Sequence, residues 1–181
     1  MKKYKLNEDN TLLLMIDIQE RLVPAMNNGE KVVENAKILL TAFKELNLPV
    51  IYTEQYPKGL GTTLPDLSEI TKDKAFEKTQ FSAYTEDIKS AIFKSGKINI
   101  LVIGMETHVC VYQTVRALLD AEYNVFVVKD CVASRTQDNY ENALDMMKDM
   151  GAVVTNMETV LFDILKKAGT KEFKLVSKLI K

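Results

Sequence analysis

The sequence predicts an α/β fold of Rossmann-like type: a six-stranded parallel sheet in the middle layer, with helices on both faces. Three observations carry this. Short, wholly apolar runs of strand length recur along the chain, longer amphipathic stretches alternate with them, and Gly, Pro or Asn marks the boundaries between. Parallel strands buried on both faces read as continuous apolar runs, and each needs a crossover long enough to hold a helix.

Taken in order, the strand candidates are Leu12 to Asp17, Val50 to Thr53, Phe76 to Thr79, Ile100 to Ile103, Val125 to Val128 and Ala152 to Thr155. Helical spacing of apolar residues appears over Val32 to Leu46, Glu86 to Ser95, Val111 to Ala121 and Asn139 to Met150. Leu48-Pro49, Lys97 with Asn99, and Met150-Gly151 are the stop signals between helix and next strand. Glu54 to Lys74 holds Pro57, Gly59, Gly61 and Pro65 with little periodicity, and is expected to be a long loop on the active side with a short helix near Asp66 to Ile70. Glu158 to Lys166 and Glu172 to Ile180 read as terminal helices.

Composition narrows the function classes. A chain of 181 residues, 46% hydrophobic and 27% charged, is expected to form one domain, residues 1–181. A formal net charge of −1 gives no bulk attraction for nucleic acid or an anionic membrane. The basic start Met1-Lys2-Lys3-Tyr4-Lys5 runs into Asn7-Glu8-Asp9-Asn10 and so lacks the apolar core of a secretory signal; Leu12 to Ile16 is too short to span a bilayer. Cys110 and Cys131 show no CxxC spacing and no histidine cluster, which argues against a zinc site or disulfide framework and for a reducing, cytoplasmic setting.

In an open parallel sheet ligands bind beyond the carboxyl ends of the strands, so the polar residues there are the ones to weigh. Asp17 ends the first apolar run, at the edge of a dry core where its pKa is expected to rise. Lys78 lies near the end of the third strand, and Gly104-Met105-Glu106-Thr107-His108-Val109-Cys110-Val111 places a thiol where the fourth strand breaks into a helix. Helix N-terminal amides and a nearby ammonium favour a thiolate at Cys110. Singly, Asp17 is a cap or turn residue, Lys78 a surface charge and Cys110 a small buried hydrophobe. Together they supply a nucleophile, a proton acceptor and a cation for amide or ester cleavage.

Asp17 in Asp-Ile-Gln, Lys78 in Lys-Thr-Gln-Phe-Ser-Ala, and Cys110 in Gly-Met-Glu-Thr-His-Val-Cys-Val resemble, in the same order, the motifs of the isochorismatase-like cysteine hydrolases. Thr53-Glu54-Gln55-Tyr56-Pro57-Lys58-Gly59-Leu60-Gly61 is similar to the subgroup called isochorismatase domain-containing proteins. The resemblance implies an Asp17, Lys78 and Cys110 triad, cleavage of a C–N bond of a small molecule through a thioester, and a homo-oligomer. It further implies a cis peptide at Met105-Glu106 and an oxyanion hole from the backbone N–H groups of Glu106 and Cys110. Gln19 and Thr107 are candidates to orient substrate or Lys78, with a helix cap the alternative for Thr107. Tyr56 and Tyr84 are candidate pocket walls. No cofactor and no metal are implied, because the stretch Thr53 to Tyr56 lacks the histidines with which nicotinamidases of the superfamily bind one.

His108, the one histidine, stands two residues from Cys110, which separates the side chains by roughly 200° on a helix, so it is assigned to the pocket rim or a subunit contact. Gln113 and Arg116 read as helix packing residues and Cys131 as structural. True isochorismatases cleave a vinyl ether without a cysteine nucleophile, and Cys110 argues against that reaction. A binding or scaffolding oligomer with an idle site, and a redox-sensing thiol, are the alternative functions.

Overall fold

The computed structural model describes residues 4–180; the basic start Met1-Lys2-Lys3 and the final Lys181 lie outside them. One sheet of six strands is formed, in the order β3-β2-β1-β4-β5-β6 and parallel throughout. The strands are β1 (Thr11–Ile16), β2 (Val50–Gln55), β3 (Phe76–Lys78), β4 (Asn99–Met105), β5 (Asn124–Ala133) and β6 (Val153–Thr155). Around them run α1 (Gly29–Glu45), α2 (Pro57–Leu60), α3 (Pro65–Thr71), α4 (Glu86–Ser95), α5 (Tyr112–Asp120), α6 (Gln137–Asp149), α7 (Met157–Leu165) and α8 (Lys171–Leu179).

The three layers follow from the two-residue alternation of β1. Leu13 and Met15 enter one core with Leu39, Leu40 and Phe43 of α1, Leu67 of α3, Val160 and Leu161 of α7 and Val176 of α8. Leu12, Leu14 and Ile16 enter the other with Ile88 and Ile92 of α4, Val115 and Leu118 of α5 and Met147 of α6. All six residues of β1 and all seven of β4 are buried, because these central strands are covered on both sides.

The chain departs from the sequence-based expectation in three places. Glu54 to Lys74 is a loop only in part: β2 continues to Gln55 and Pro57 opens an unexpected α2, while Pro65 opens α3 over the short helix expected near Asp66 to Ile70, both prolines standing where a missing N–H costs nothing. β1 stops at Ile16, since Asp17 has φ 52°, outside the strand region. β5 reaches Ala133, well past Val128, because its register with β4 jumps from Val102↔Val127 to Gly104↔Val132. Val128 to Cys131 form an irregularity against β4, with Val128 still paired to Thr155 of β6, and pairing with β4 resumes at Val132.

Other boundaries move by a few residues where caps decide them. Thr136, Asn156 and Thr170 each accept a hydrogen bond from the amide three residues on, so α6, α7 and α8 begin directly after them.

In the strand pair β1–β4, Gly104 lies opposite Ile16. Gly104 has φ +122°, and a Cβ there would collide with the Ile16 carbonyl oxygen. Gly104→Ala is therefore expected to cost at least ~2 kcal/mol of stability in urea denaturation, combining a forbidden φ with a backbone clash.

Candidate active site

Asp17, Lys78 and Cys110 come together at the carboxyl edge of the sheet, between the two strands, β1 and β4, whose following helices pass to opposite faces. The Asp17 side chain is wholly buried and the Lys78 side chain is 2% exposed. Lys78 Nζ donates to Asp17 Oδ2 at 2.7 Å, and Thr53 Oγ1 donates to Asp17 Oδ1 at 2.7 Å. Each carboxylate oxygen therefore has a donor, and the backbone N–H of Asp17 is held by the Thr53 carbonyl at 3.2 Å.

Sheet register places these groups. Ile16 pairs with Thr53, so the carboxylate just beyond β1 meets the Thr53 hydroxyl; Gln55 pairs with Lys78. Lys78 Nζ also donates to Gln55 Oε1 at 2.7 Å, and it lies 3.3 Å and 3.2 Å from the carbonyl oxygens of Gln80 and Phe81. An ammonium has three protons, so these acceptors use all of them.

Cys110 sits in a π-helical turn, Thr107–Val111, between β4 and α5, so the helical path begins four residues ahead of the expected Val111. Both amides flanking it, those of Val109 and Val111, donate to the Glu106 carbonyl at 3.0 and 3.2 Å. The Met105–Glu106 peptide at the head of this turn is cis.

Electrostatics act on Asp17 and Cys110 alike. Burial raises the Asp17 pKa above the ordinary carboxylate value, against the opposing pull of Lys78 and the Thr53 hydroxyl. Burial pushes the Cys110 thiol up to about 12, reinforced by the negative charge of Asp17, while Lys78 pulls it down by less. The sequence-based expectation of a thiolate at Cys110 is thus overturned for the resting site: dehydration and the adjacent carboxylate outweigh the ammonium.

A family model described as the isochorismatase domain matches residues 11–159. The chain belongs to the isochorismatase family. It is 37% identical to isochorismatase family protein 1A of Dictyostelium discoideum over 93% of this chain and 85% of that one. It is likewise 37% identical to isochorismatase domain-containing protein 2 of Xenopus laevis over 97% and 86%. The solved structure of the MAR1 ribonuclease from Caenorhabditis elegans superimposes with a TM-score of 0.92 at 34% identity, covering 97% of this chain and 92% of that one. The family is one of hydrolases.

Within this isochorismatase-family site, several residues take places that spacing did not show. Gln19 offers nothing to a ligand: its Oε1 accepts from the Gln55 amide at 2.7 Å, and its Nε2 donates to the carbonyls of Gln55 and Gly61 at 3.1 and 2.6 Å. It clamps the end of β2 to the residue closing α2. Tyr84 is turned away as well. Its ring packs edge-on against Tyr123 at 6.3 Å, next to the amino end of β5, the edge of the sheet opposite to Asp17.

Thr107 makes no capping bond, and its buried hydroxyl has no partner among the described residues. Tyr56 is 54% exposed and lines a cavity of about 410 Å3 with Pro57, Lys78 and Gln80. A larger hollow of about 590 Å3 lies between the starts of α1 and α6, and none of Asp17, Lys78 or Cys110 lines it. His108 Nδ1 is 3.0 Å from Ser134 Oγ, and Arg135 Nε donates to Glu106 Oε2 at 2.9 Å, so the turn is tied to the segment after β5. Arg116 stacks over Tyr112 of its own helix at 5.5 Å, and Cys131 is fully buried in the β5 bulge.

Thr53 and Gln55 are the residues that spacing missed as direct partners of the pair. The signal available was their i, i+2 placement on one face of β2, which acquires meaning only once the register with β1 and β3 is known. Among the described residues no three His, Cys, Asp or Glu side chains converge as a metal site would need, and no helix is long and apolar enough to cross a membrane.

The Cys110 thiol keeps its proton in the folded chain to higher pH than in the unfolded one. Its contribution to stability is intact below pH 9.0 and is lost as pH rises toward 12. Thiolate absorbance near 240 nm, taken as wild type minus Cys110→Ser, is expected to appear only above about pH 10; a midpoint below 8 would contradict the burial account.

Proposed function

We propose that this chain is a cysteine-dependent hydrolase that cleaves the C–N bond of a small amide through a thioester on Cys110, with Asp17 as proton acceptor and Lys78 as its fixed cation. The observation that carries the reading is the buried contact of Lys78 Nζ with Asp17 Oδ2, beside a thiol whose pKa both groups shift.

Because the resting thiol is neutral, its proton leaves as the sulfur attacks, and Asp17, made more basic by burial, receives it. The C–S bond forms while the carbonyl π pair moves to oxygen. The backbone N–H groups of Cys110 and Glu106 take that oxyanion; the occupation of the Glu106 carbonyl by the amides on either side of Cys110 supports this assignment. The C–N bond then breaks, and the leaving nitrogen takes the proton from Asp17. Water, deprotonated by the same carboxylate, attacks the thioester; the C–S bond breaks, the acid is released, and Asp17 returns the proton to the Cys110 sulfur.

Saturation of Lys78 by its oxygen acceptors supports a substrate that is neutral at its reacting end, since no ammonium proton remains for an anion. Exposed Tyr56 and Phe81 beside the site support the homo-oligomer reading, in which a second copy covers them. The relative from C. elegans is described as a ribonuclease, and RNA is the competing substrate. The depth of the Asp17–Lys78 pair favours a small molecule.

A panel of small amides, assayed for ammonia, is expected to yield at least one substrate whose turnover falls below detection in Cys110→Ala, with the variant's circular dichroism and melting unchanged. Wild-type rates in that variant would end the proposal. So would Cys110-dependent cleavage of an RNA oligonucleotide with no amide turned over.

A further inference from the structure

We infer that Gln55 is a positioning residue for Lys78: it fixes the ammonium on Asp17 with a neutral oxygen and withholds it from substrate. The inference rests on the hydrolytic reading of Asp17, Lys78 and Cys110 and adds a fourth side chain to it.

The orientation of the Gln55 amide is settled on both sides. Its Oε1 faces Lys78 Nζ at 2.7 Å, a group that can only donate, and its Nε2 faces the Thr79 carbonyl at 2.9 Å, a group that can only accept. The reversed amide would oppose donor to donor and acceptor to acceptor. Gln55 is itself immobilised at the backbone, where Gln19 grips both its N–H and its C=O. Parallel pairing with Lys78 at the ends of β2 and β3 sets the two residues abreast. The route runs from the α2 turn through Gln19 to the Gln55 backbone, and from the Gln55 amide to the ammonium.

Neutrality matters as much as reach. A carboxylate here would give Lys78 a second anion and weaken its hold on Asp17, and it would leave an oxygen opposed to the Thr79 carbonyl. With glutamine, Asp17 is the one side-chain anion hydrogen-bonded to Lys78 among the described residues. Together with the Gln80 and Phe81 carbonyls, Gln55 takes the ammonium protons that Asp17 leaves over. Serving a cation that does not touch substrate, Gln55 acts on the rate of the chemical step and not on binding.

The ammonium can be followed directly. In 1H–15N correlation spectra at neutral pH, a buried and fully bonded lysine ammonium exchanges slowly, whereas exposed lysines are lost to exchange. Gln55→Met is expected to speed proton exchange of the Lys78 ammonium at least ~10-fold while leaving the fold intact. With the amide found by the ammonia assay it is expected to lower kcat about 10-fold and leave KM within about twofold. Unchanged exchange in Gln55→Met would overturn the positioning role. Should that variant not fold, Gln55→Glu decides: its added charge near the pair is expected to slow alkylation of Cys110 by iodoacetamide at pH 8 about 10-fold, and an unchanged rate would overturn the inference. Fast exchange in Gln55→Met, with no amide hydrolysed by the wild type, would support the positioning role while removing the hydrolytic reading.

Discussion

The buried ion pair between Asp17 and Lys78 is the interaction on which the rest of the site depends. Taking two charges out of water costs several kcal/mol per ion, and their attraction offsets this only if the remaining hydrogen-bonding capacity is met. Here it is met completely. Thr53 takes the second carboxylate oxygen, while Gln55 and two backbone carbonyls take the remaining ammonium protons. Removing either partner from such a pair costs about 3–5 kcal/mol, because the survivor is left charged and dry. The pair is thus weak evidence for stability as such and stronger evidence for a site in which a polarised carboxylate is wanted.

The sheet makes that arrangement possible. Three parallel strands, β3, β2 and β1, deliver Lys78, Gln55 with Thr53, and Asp17 to one edge, and β4 delivers Cys110 through its π turn. Each contribution is set by register, so the site is as rigid as the sheet. Gly104 belongs to the same constraint: the close approach of its backbone to Ile16 lets β4 run beside β1 up to the point where both chains turn into the site. A π turn widens the helical path by one residue, and such turns recur at functional sites.

Much of this was legible in the sequence, and the limits are physical. Apolar runs and helical spacing gave the layers, because burial on both faces leaves a continuous hydrophobic signature in β1 and β4. The strand-end rule brought Asp17, Lys78 and Cys110 forward, and their combination as proton acceptor, cation and nucleophile outweighed the cap, surface-charge and small-hydrophobe readings each has alone. Thr53 and Gln55 were hidden because their partners lie on other strands, and a register is not written in either strand alone. How Gln19 acts was hidden for a related reason: its amide is consumed by the backbone of a segment 36 to 42 residues away, so it can reach Lys78 only through Gln55 and cannot hold substrate. Tyr84 was a candidate pocket wall, but its ring packs against Tyr123, a contact between distant segments that spacing does not show. The thiol's protonation was misjudged because dehydration, the largest contribution, depends on a depth of burial that spacing does not reveal.

Membership of the isochorismatase family fixes a hydrolase fold, and the site geometry adds a neutral thiol beside a basic, buried carboxylate. The central claim is that the thiol becomes covalently acylated during turnover. Intact-protein mass spectrometry on acid-quenched samples, taken within the first turnovers of an amide substrate, tests it most directly. The account predicts a transient adduct of the substrate's acyl mass, mapped to Cys110 and absent from Cys110→Ala. Steady turnover of the same amide with no adduct on Cys110 at any time point, under conditions where acylation is the faster step, would contradict it.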